Sequence, residues 1–190
     1  MYQTILSDTN FYRYLLKLDE DLAAEARRKG CACGGRLHSA RYGRKPRGVP
    51  EQLQEDYSHR YSFCCAQDGC RKRTTPPSFR FLLRRVYVSV VVVLVTALRH
   101  GTTPARVAKL RETVGVSRRT LERWRRWWVE EFTETAFWRS ARGRLAVPVE
   151  KSTLPLSLLE CFQKATGHEK TMDLLRFILP LTSASVIQET

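Results

Sequence analysis

Residues 114–124 constrain the fold of this chain most, because they end one helix and begin another within three residues. Gly115 can adopt the positive φ that stops a helix, and the Ser117 side chain can accept a hydrogen bond from a free N–H group of the next helix. Val116 precedes that cap and can pack on Leu121 as a hydrophobic staple. The stretch therefore predicts a tight turn followed by a helix with a fixed direction.

A second helix is predicted directly before this turn, over residues 104–114. Thr103 supplies a cap, and Pro104 is a proline at the first helical position. Apolar residues fall where a helix-turn-helix needs them to hold its two helices in a fixed crossing, namely Leu110, Val114, Val116, Leu121 and Trp124. Arg111 stands at the inner crossing point, where a small residue is usual. The spacing predicts a helix-turn-helix.

The helix after the turn has two contrasting faces. One is apolar at helical spacing, through Leu121, Trp124, Trp128 and Phe132. Glu122 is the only acid between Arg118 and Trp128, so salt bridges cannot account for the five arginines there. A solvated helix face is one interpretation; we favour contact with a DNA major groove, in which arginine pairs with guanine and Glu122 with cytosine. The predicted DNA-contacting residues are Ser117, Arg118, Arg119, Thr120, Glu122, Arg123 and Arg126.

The positive charge of the chain is confined to its middle. The net charge is +14, from 33 lysines and arginines against 19 acids, and residues 27–144 hold 27 of the basic residues with 9 acids. Residues 1–26 hold 2 basic and 5 acidic residues, and residues 145–190 hold 4 and 5. Such a local excess is typical of a protein that binds a polyanion, here double-stranded DNA.

Four cysteines in two close clusters predict a zinc site. Cys31 and Cys33 form the first cluster, and Cys65 and Cys70 form the second after 31 intervening residues (34–64). Two such pairs are typical of tetrahedral Zn²⁺ sites, and glycine beside a ligand lets backbone N–H groups point at the sulfurs. The intervening residues are enough for two or three strands, so a small β-ribbon is expected.

The ligand set has alternatives. Only one of the adjacent Cys64 and Cys65 is expected to bind the metal. Cys65 is favoured because fewer residues separate it from Cys70, and Cys64 is then expected to be a buried thiol. His38 or His59 would be a ligand if the first pair split. Cys161 stands apart in a helical pattern and is expected to be a core or interface residue.

The ribbon also carries a basic segment, residues 41–48, inside a window (27–47) with 8 basic residues and no acid. Arg44, Lys45 and Arg47 are expected to contact phosphates or an A·T-rich minor groove. A mobile, solvated hairpin tip is the alternative.

The chain is expected to be cytoplasmic. Residues 1–26 lack a basic start followed by an apolar run, so no signal peptide is predicted, and cytoplasmic cysteines are more often thiols or metal ligands than disulfides. The apolar run 86–98 is roughly half as long as a bilayer crossing, so no membrane contact is predicted.

The β-branched residues of the run 86–98 favour a strand, but its length and its place before two capped helices favour a helix, which we predict.

Further segments surround these elements. Residues 8–29 predict an amphipathic helix that ends near Gly30 and packs on the zinc module or a second subunit. Residues 71–78 predict an extended linker, since proline disfavours helix before it, with Phe79 and Phe81 as anchors. The arginine-bearing helix is expected to continue from Trp127 to Trp138. Residues 145–190 predict a hairpin of two short helices that either mediates interaction, including homodimerisation, or folds back on the tryptophan-rich helix.

Several strings in this order resemble the zinc-ribbon plus helix-turn-helix proteins encoded by bacterial insertion sequences and transposons. They are residues 33–38 (CGGRLH), 63–65 and 70–78 (FCC and CRKRTTPPS), 84–87 (RRVY) and 115–124 (GVSRRTLERW). The resemblance covers roughly residues 8–140. It implies a cytoplasmic, nucleoid-associated bacterial DNA-binding protein of a mobile element that recognises a specific site. A transposase or another protein of the same element is the partner it suggests.

No catalytic constellation is predicted. Strand-transferring transposases need carboxylates that hold two metal ions about 4 Å apart, and of the 6 aspartates only Asp173 follows Asp68.

We expect a mainly α fold with a small zinc-bound β-ribbon, divided into an N-terminal helix (1–30), a zinc ribbon (31–78), a three-helix helix-turn-helix unit (79–144) and a C-terminal helical hairpin (145–190). The expected function is that of a non-catalytic transposition accessory or regulator. A protein-interaction or RNA-binding adaptor and the detached DNA-binding half of a transposase are the alternatives.

Overall fold

The computed structural model describes residues 2–44, 46–82, 88–98, 104–105, 108, 112 and 114–183. The chain divides into two compact units. The cysteine unit comprises Thr9–Val88 and Ile178–Thr190, and the helical unit comprises Met1–Asp8 and Ser89–Phe177. Helices predominate and the strands are short, which agrees with the predicted mainly α fold. The finer division into four segments stays a prediction.

One long helix, Thr9–Lys29, opens the cysteine unit, and a short helix, Tyr2–Ile5, precedes it in the helical unit. The long helix ends where Gly30 adopts a φ of +70°, a conformation that residues with a Cβ rarely adopt. Ala23 on its inner face packs with buried sheet residues, among them Phe63. The predicted helix is confirmed, and its packing partner in this chain is the cysteine-bearing sheet.

Five short strands follow the long helix: β1 (Leu37–Ser39), β2 (Tyr42–Gly43), β3 (His59–Arg60), β4 (Phe63–Cys65) and β5 (Arg73–Thr74). They form an antiparallel three-stranded sheet in the order β1-β4-β5 and an antiparallel β2-β3 pair. A helical turn, Glu51–Leu53, lies between β2 and β3. His38, Cys64 and Arg73 lie in register across the three-stranded sheet.

The predicted linker over residues 71–78 is wrong in part, because Arg73–Thr74 is the third strand of the sheet. The Cys65 N–H donates to the Lys72 carbonyl over 2.9 Å, so the pairing of β4 with β5 begins before the first proline. The strand ends before Pro76. Backbone pairing therefore holds the predicted linker in the cysteine unit.

A buried carboxylate fastens the segment after the sheet to the long helix. Asp19 accepts three hydrogen bonds, from the Ser78 hydroxyl (2.5 Å), the Phe79 N–H (2.6 Å) and the Arg80 Nε (2.9 Å). Arg80 is fully buried, and its guanidinium also lies over the Tyr57 ring. Burial raises the pKa of Asp19, and the charge of Arg80 opposes that rise. The predicted anchoring by Phe79 thus includes a polar contact as well as a buried ring.

The apolar helix Ser89–Leu98 forms the centre of the helical unit. Residues 90–95 are all buried, and a helix that is apolar all round is stable in such surroundings in spite of its β-branched residues. The prediction of a helix is confirmed from Ser89 onward, while residues 83–87 lie outside the described part of the chain. In the predicted helix over 104–114 the described residues are helical, but Leu110 and Arg111 are not among them.

The next elements are the arginine helix (Arg118–Arg126), a π-helical turn (Trp127–Glu131), a short α-helical turn (Phe132–Glu134) and a helix (Ala136–Ala141). Thr135 has an extended backbone with a ψ of 143°, and its hydroxyl accepts a hydrogen bond from the Trp138 N–H (3.1 Å). The predicted continuous helix to Trp138 is therefore wrong, because a new N-cap at Thr135 interrupts it.

The C-terminal part supplies two helices, Leu156–Glu160 and Gly167–Ile178, and single turns at Arg142–Arg144, Lys151–Thr153 and Leu179–Thr182. The turn Lys151–Thr153 contacts Trp127–Glu131. Most leucines of this part are buried, among them Leu154, Leu158, Leu159, Leu174 and Leu175. This burial agrees with the folding-back interpretation, and the homodimer through residues 145–190 stays a prediction. No helix of the described residues is long and apolar enough to cross a membrane.

Candidate metal centre and arginine helix

Four thiols converge at one point of the cysteine unit. The sulfur atoms of Cys31, Cys33, Cys65 and Cys70 all lie within 4.8 Å of one another. Two of these distances join the two clusters: 3.7 Å between Cys31 and Cys70, and 3.5 Å between Cys33 and Cys65. A tetrahedral site with Zn–S bonds of about 2.3 Å places its sulfurs about 3.8 Å apart. The four predicted ligands are therefore together, at spacings that suit a tetrahedral metal site.

The first cysteine loop depends on two glycines. The Cys31 N–H donates to the Gly35 carbonyl (3.0 Å), and the Gly34 N–H donates to the Cys31 carbonyl (2.8 Å). Gly34 has a φ of +81°, which favours glycine. A Cβ at residue 35 would lie 2.6 Å from the Cys65 sulfur and 3.4 Å from the Cys33 sulfur. Glycine at residue 35 therefore lets the backbone pass directly beside the thiols.

The second cysteine loop turns back from β4 through two hydrogen bonds. The Gln67 N–H points at the Cys65 sulfur over 3.4 Å, and the Cys70 N–H donates to the Gln67 carbonyl (3.1 Å). Gly69 takes a φ of +81° just before Cys70. Amides aimed at sulfur stabilise thiolates, as expected from glycine-rich ligand loops.

The surroundings of Cys33 and Cys65 give the two thiols different acidities. The Gly35 N–H, with help from the neighbouring thiols, lowers the pKa of Cys33 to about 7. The Gln67 N–H lowers the pKa of Cys65, but burial and hydrogen bonds to the other thiols outweigh it and raise that pKa to about 12. One thiolate therefore forms near neutral pH, whereas Cys65 needs a cation to lose its proton.

The alternative ligands lie elsewhere. Cys64 lies on the middle strand and is half-buried rather than fully buried as predicted; its thiol donates to the Arg71 carbonyl (3.4 Å). His38 is exposed on β1, and the His59 ring contacts the Ser58 hydroxyl (3.3 Å). None of these side chains belongs to the four-sulfur cluster. The preference for Cys65 over Cys64 agrees with this geometry.

Cys161 lies in the helical unit and is not one of the four clustered cysteines. Its thiol caps the short helix Leu156–Glu160 by donating to the Ser157 carbonyl (3.3 Å), and the residue is half-buried. This position is consistent with the packing role expected for it.

The predicted stop and cap in residues 114–124 are both present in the helical unit. Gly115 has a φ of +61°, and the Ser117 hydroxyl accepts a hydrogen bond from the Thr120 N–H (3.1 Å). Val116 and Leu121 are buried on either side of the cap, as a hydrophobic staple requires. The start and direction of the arginine helix are therefore set by the residues that predicted them.

The arginine helix has one buried and one charged face. Leu121 and Trp124 are buried, and the π-helical turn adds a residue so that both following tryptophans are buried as well. All five arginines are exposed: Arg118, Arg119, Arg123, Arg125 and Arg126. Glu122 pairs with Arg118 over 2.9 Å. Five arginines and one glutamate give the helix's own residues an excess of positive charge.

The basic hairpin residues differ in exposure. Arg44 is half-buried; it donates to the Gly43 carbonyl (3.0 Å), and its guanidinium carbon lies 5.9 Å from the Phe81 ring centroid. Burial lowers the pKa of Arg44. Arg47 is exposed, and Lys45 lies outside the described residues. Arg44 thus packs inside the cysteine unit instead of extending from a solvated tip.

A further basic residue was missed by sequence reasoning. Arg73 is exposed, and its guanidinium carbon lies 4.4 Å from the centroid of the Tyr42 ring. The prolines that follow it favour a linker in the sequence. The β-branched residues Thr74 and Thr75 directly after it are the signal that could have indicated a strand.

Comparisons of the chain with protein-family models, curated protein sequences and solved structures found no match. Within the described residues, the four cysteines form the only group of three or more His, Cys, Asp and Glu side chains close enough to share a metal ion. Function must therefore be inferred from this cluster and from the arginine-bearing surfaces.

Proposed function

We propose that the protein is a zinc-containing, sequence-specific DNA-binding protein of a bacterial mobile element, acting as a non-catalytic accessory or regulator of transposition. The observation that carries the proposal is the arginine helix. It is capped at Ser117 and anchored by Leu121 and Trp124, and its own residues include five exposed arginines and a single acid, Glu122. The resemblance to insertion-sequence proteins supplies the biological setting.

The arginine helix has suitable dimensions and chemistry for the major groove. Its nine residues (Arg118–Arg126) span about 13 Å at 1.5 Å per residue. Arg119, Arg123 and Arg126 recur at spacings of four and three, so they share one face opposite the buried one. Arginine can donate two parallel hydrogen bonds to guanine, which gives base preference as well as affinity. The capped N-terminus, with Ser117 and Thr120, would lie nearest the phosphates.

Zinc is proposed for the cysteine cluster because of its donor set. Four thiolates at tetrahedral spacing suit Zn²⁺ or an iron centre, and a site with all four positions taken by protein ligands is structural rather than catalytic. The sheet consists of strands of two or three residues, which bury little surface by themselves. Zinc would therefore stabilise the fold of the cysteine unit and take no part in a reaction.

The experiment that tests this function combines substitution with salt titration. Arg119→Ala/Arg123→Ala should lose preference for a duplex selected by the wild-type protein, since each base contact contributes about 1–3 kcal/mol of discrimination. Arg125→Ala/Arg139→Ala removes the same charge from exposed positions off that face and should keep the preference. Equal loss of preference in both variants would mean that the arginines act only through charge, and the proposal would fail.

A further inference from the structure

The outward face of the three-stranded sheet is uncovered. Strand alternation turns Phe63 and Cys65 inward, where both are buried. The opposite face carries the row of His38, Cys64 and Arg73, one residue from each strand. His38 and Arg73 are exposed and Cys64 is half-buried, so this face is largely open to solvent.

This face is positively charged. The three strands with their flanks, residues 36–42, 62–66 and 71–75, contain five lysines and arginines and no aspartate or glutamate; one of the five, Arg71, pairs with Asp68 of the preceding loop over 2.9 Å. Arg36 stands two residues before His38 and is exposed. In the described part of the chain, neither Arg36 nor Arg73 forms an ion pair with a carboxylate. The sheet face therefore offers cations to an external anion.

Arg73 is held in place across the face. Its guanidinium packs on the Tyr42 ring (4.4 Å to the centroid), and its Nη1 donates to the Ala40 carbonyl (3.4 Å). A guanidinium has five N–H donors, so several stay available for a ligand. Because the stack already restricts the side chain, Arg73 loses less conformational entropy when it binds than a freely rotating arginine would.

We propose that this outward face, centred on Arg73 and including Arg36, binds the phosphate backbone of duplex DNA. The inference rests on the proposed function and adds a contact surface in the other unit of the chain. Phosphate is the anion that fits, because a guanidinium can donate to two oxygens of one phosphate group. A single strand is a poorer fit, because the guanidinium groups of Arg73 and Arg44 already lie over the Tyr42 ring, where a base would have to stack.

The test compares two double variants of the full chain that remove equal charge from the cysteine unit. Arg36→Ala/Arg73→Ala alters the sheet face, and Arg13→Ala/Arg28→Ala alters exposed positions of the long helix. Affinity for a duplex selected by the wild type and for an unrelated duplex is measured over a range of KCl concentrations. The sheet-face variant should bind both duplexes roughly tenfold or more weakly at 0.1 M salt, and its log–log salt slope should fall by about 2. The helix variant should match the wild type.

The outcomes separate this inference from the proposed function. Equal salt slopes in the two variants would overturn the sheet-face contact even if the selected duplex were still preferred. If the wild type showed no preference for any duplex sequence, the proposed function would be overturned. The difference in salt slope between the two double variants would still show whether the sheet face contacts DNA. Tighter binding of single-stranded RNA than of duplex DNA, lost only in the sheet-face variant, would assign the face to RNA and overturn the inference.

Zinc content and far-ultraviolet circular dichroism of each variant are measured to check that it is folded. Arg73→Gln keeps a polar side chain at the centre of the face, so it provides the same test if the double variant holds less zinc. The salt slope should then fall by about 1. An unchanged slope in a fully metallated Arg73→Gln protein would also contradict the inference.

Discussion

The backbone of Gly35 lies directly against the sulfur of Cys65, where a Cβ at residue 35 would be 2.6 Å from that atom. Gly35→Ala must therefore displace a proposed metal ligand or the loop that carries it. We expect zinc affinity to fall by about tenfold or more, together with a loss of about 1–3 kcal/mol in the free energy of unfolding. Competition with a chromophoric chelator and urea unfolding measure the two effects.

Gly43→Ala is the matched control for this substitution. A Cβ there would meet nothing within 4 Å, and the residue does not need a positive φ. It should bind zinc as the wild type does. Unchanged competition by the chelator in Gly35→Ala would show that the close approach to Cys65 has no role in the metal site.

Adjacent cysteines should differ completely in metal binding. The Cys65 sulfur belongs to the four-sulfur cluster, whereas the Cys64 thiol donates to the Arg71 carbonyl outside it. Cys64→Ser should keep about one Zn²⁺ per chain, and Cys65→Ser should lose most of it, because structural zinc sites need four protein ligands. Elemental analysis of the purified variants decides the question. Zinc retained in Cys65→Ser and lost in Cys64→Ser would reverse the assignment.

Zinc binding should release protons, and fewer of them above pH 7 than below it. A thiol binds zinc as thiolate, so a thiol that is protonated in the free cluster releases its proton on binding. The pKa of Cys33 is about 7, so above that pH this thiol is already ionised, whereas Cys65, with a pKa of about 12, still releases its proton. Affinity should consequently fall as the solution becomes more acidic. Calorimetry in buffers of different ionisation enthalpy gives the number of protons released. If that number did not change with pH, the difference in pKa between Cys33 and Cys65 would be contradicted.

Asp19→Asn should destabilise the cysteine unit strongly. The change keeps the shape of the side chain but removes the charge beside the fully buried Arg80, and breaking a buried pair in this way costs about 3–5 kcal/mol. Asp68→Asn removes the exposed Arg71–Asp68 pair and should have no measurable effect on the free energy of unfolding. Urea unfolding of both variants provides the comparison, and equal stabilities would mean that the buried pair contributes nothing.

Features set by neighbouring residues could be predicted from the sequence. Gly115 and Ser117 determine their stop and cap through contacts within three residues, and these contacts are present. The cysteine ligands were also predictable, because few other arrangements bring two close pairs to one metal. Cys65 was preferred over Cys64 on loop length alone, and strand alternation is the physical reason: adjacent residues of β4 point to opposite faces.

Features set by distant contacts could not be predicted. β5 forms because its backbone pairs with β4, and that pairing outweighs the local signal of the following prolines. Asp19 is buried by partners about 60 positions later in the chain, so its helix appears simply acidic in the sequence. Thr135 could equally be a helical residue until its hydroxyl caps the next helix. The residues outside the described part, including Lys45, Leu110 and Arg111, stay predictions.

Selection of duplexes from a random pool tests the central claim of sequence-specific DNA binding most directly. The zinc-loaded full-length protein is used for selection at about 0.15 M salt, and affinity is then measured for the enriched duplex and for a scrambled duplex of the same composition. The proposed function predicts an affinity ratio of roughly 10³ or more, as for other specific DNA-binding proteins. Equal affinity for the two duplexes at every salt concentration would contradict it.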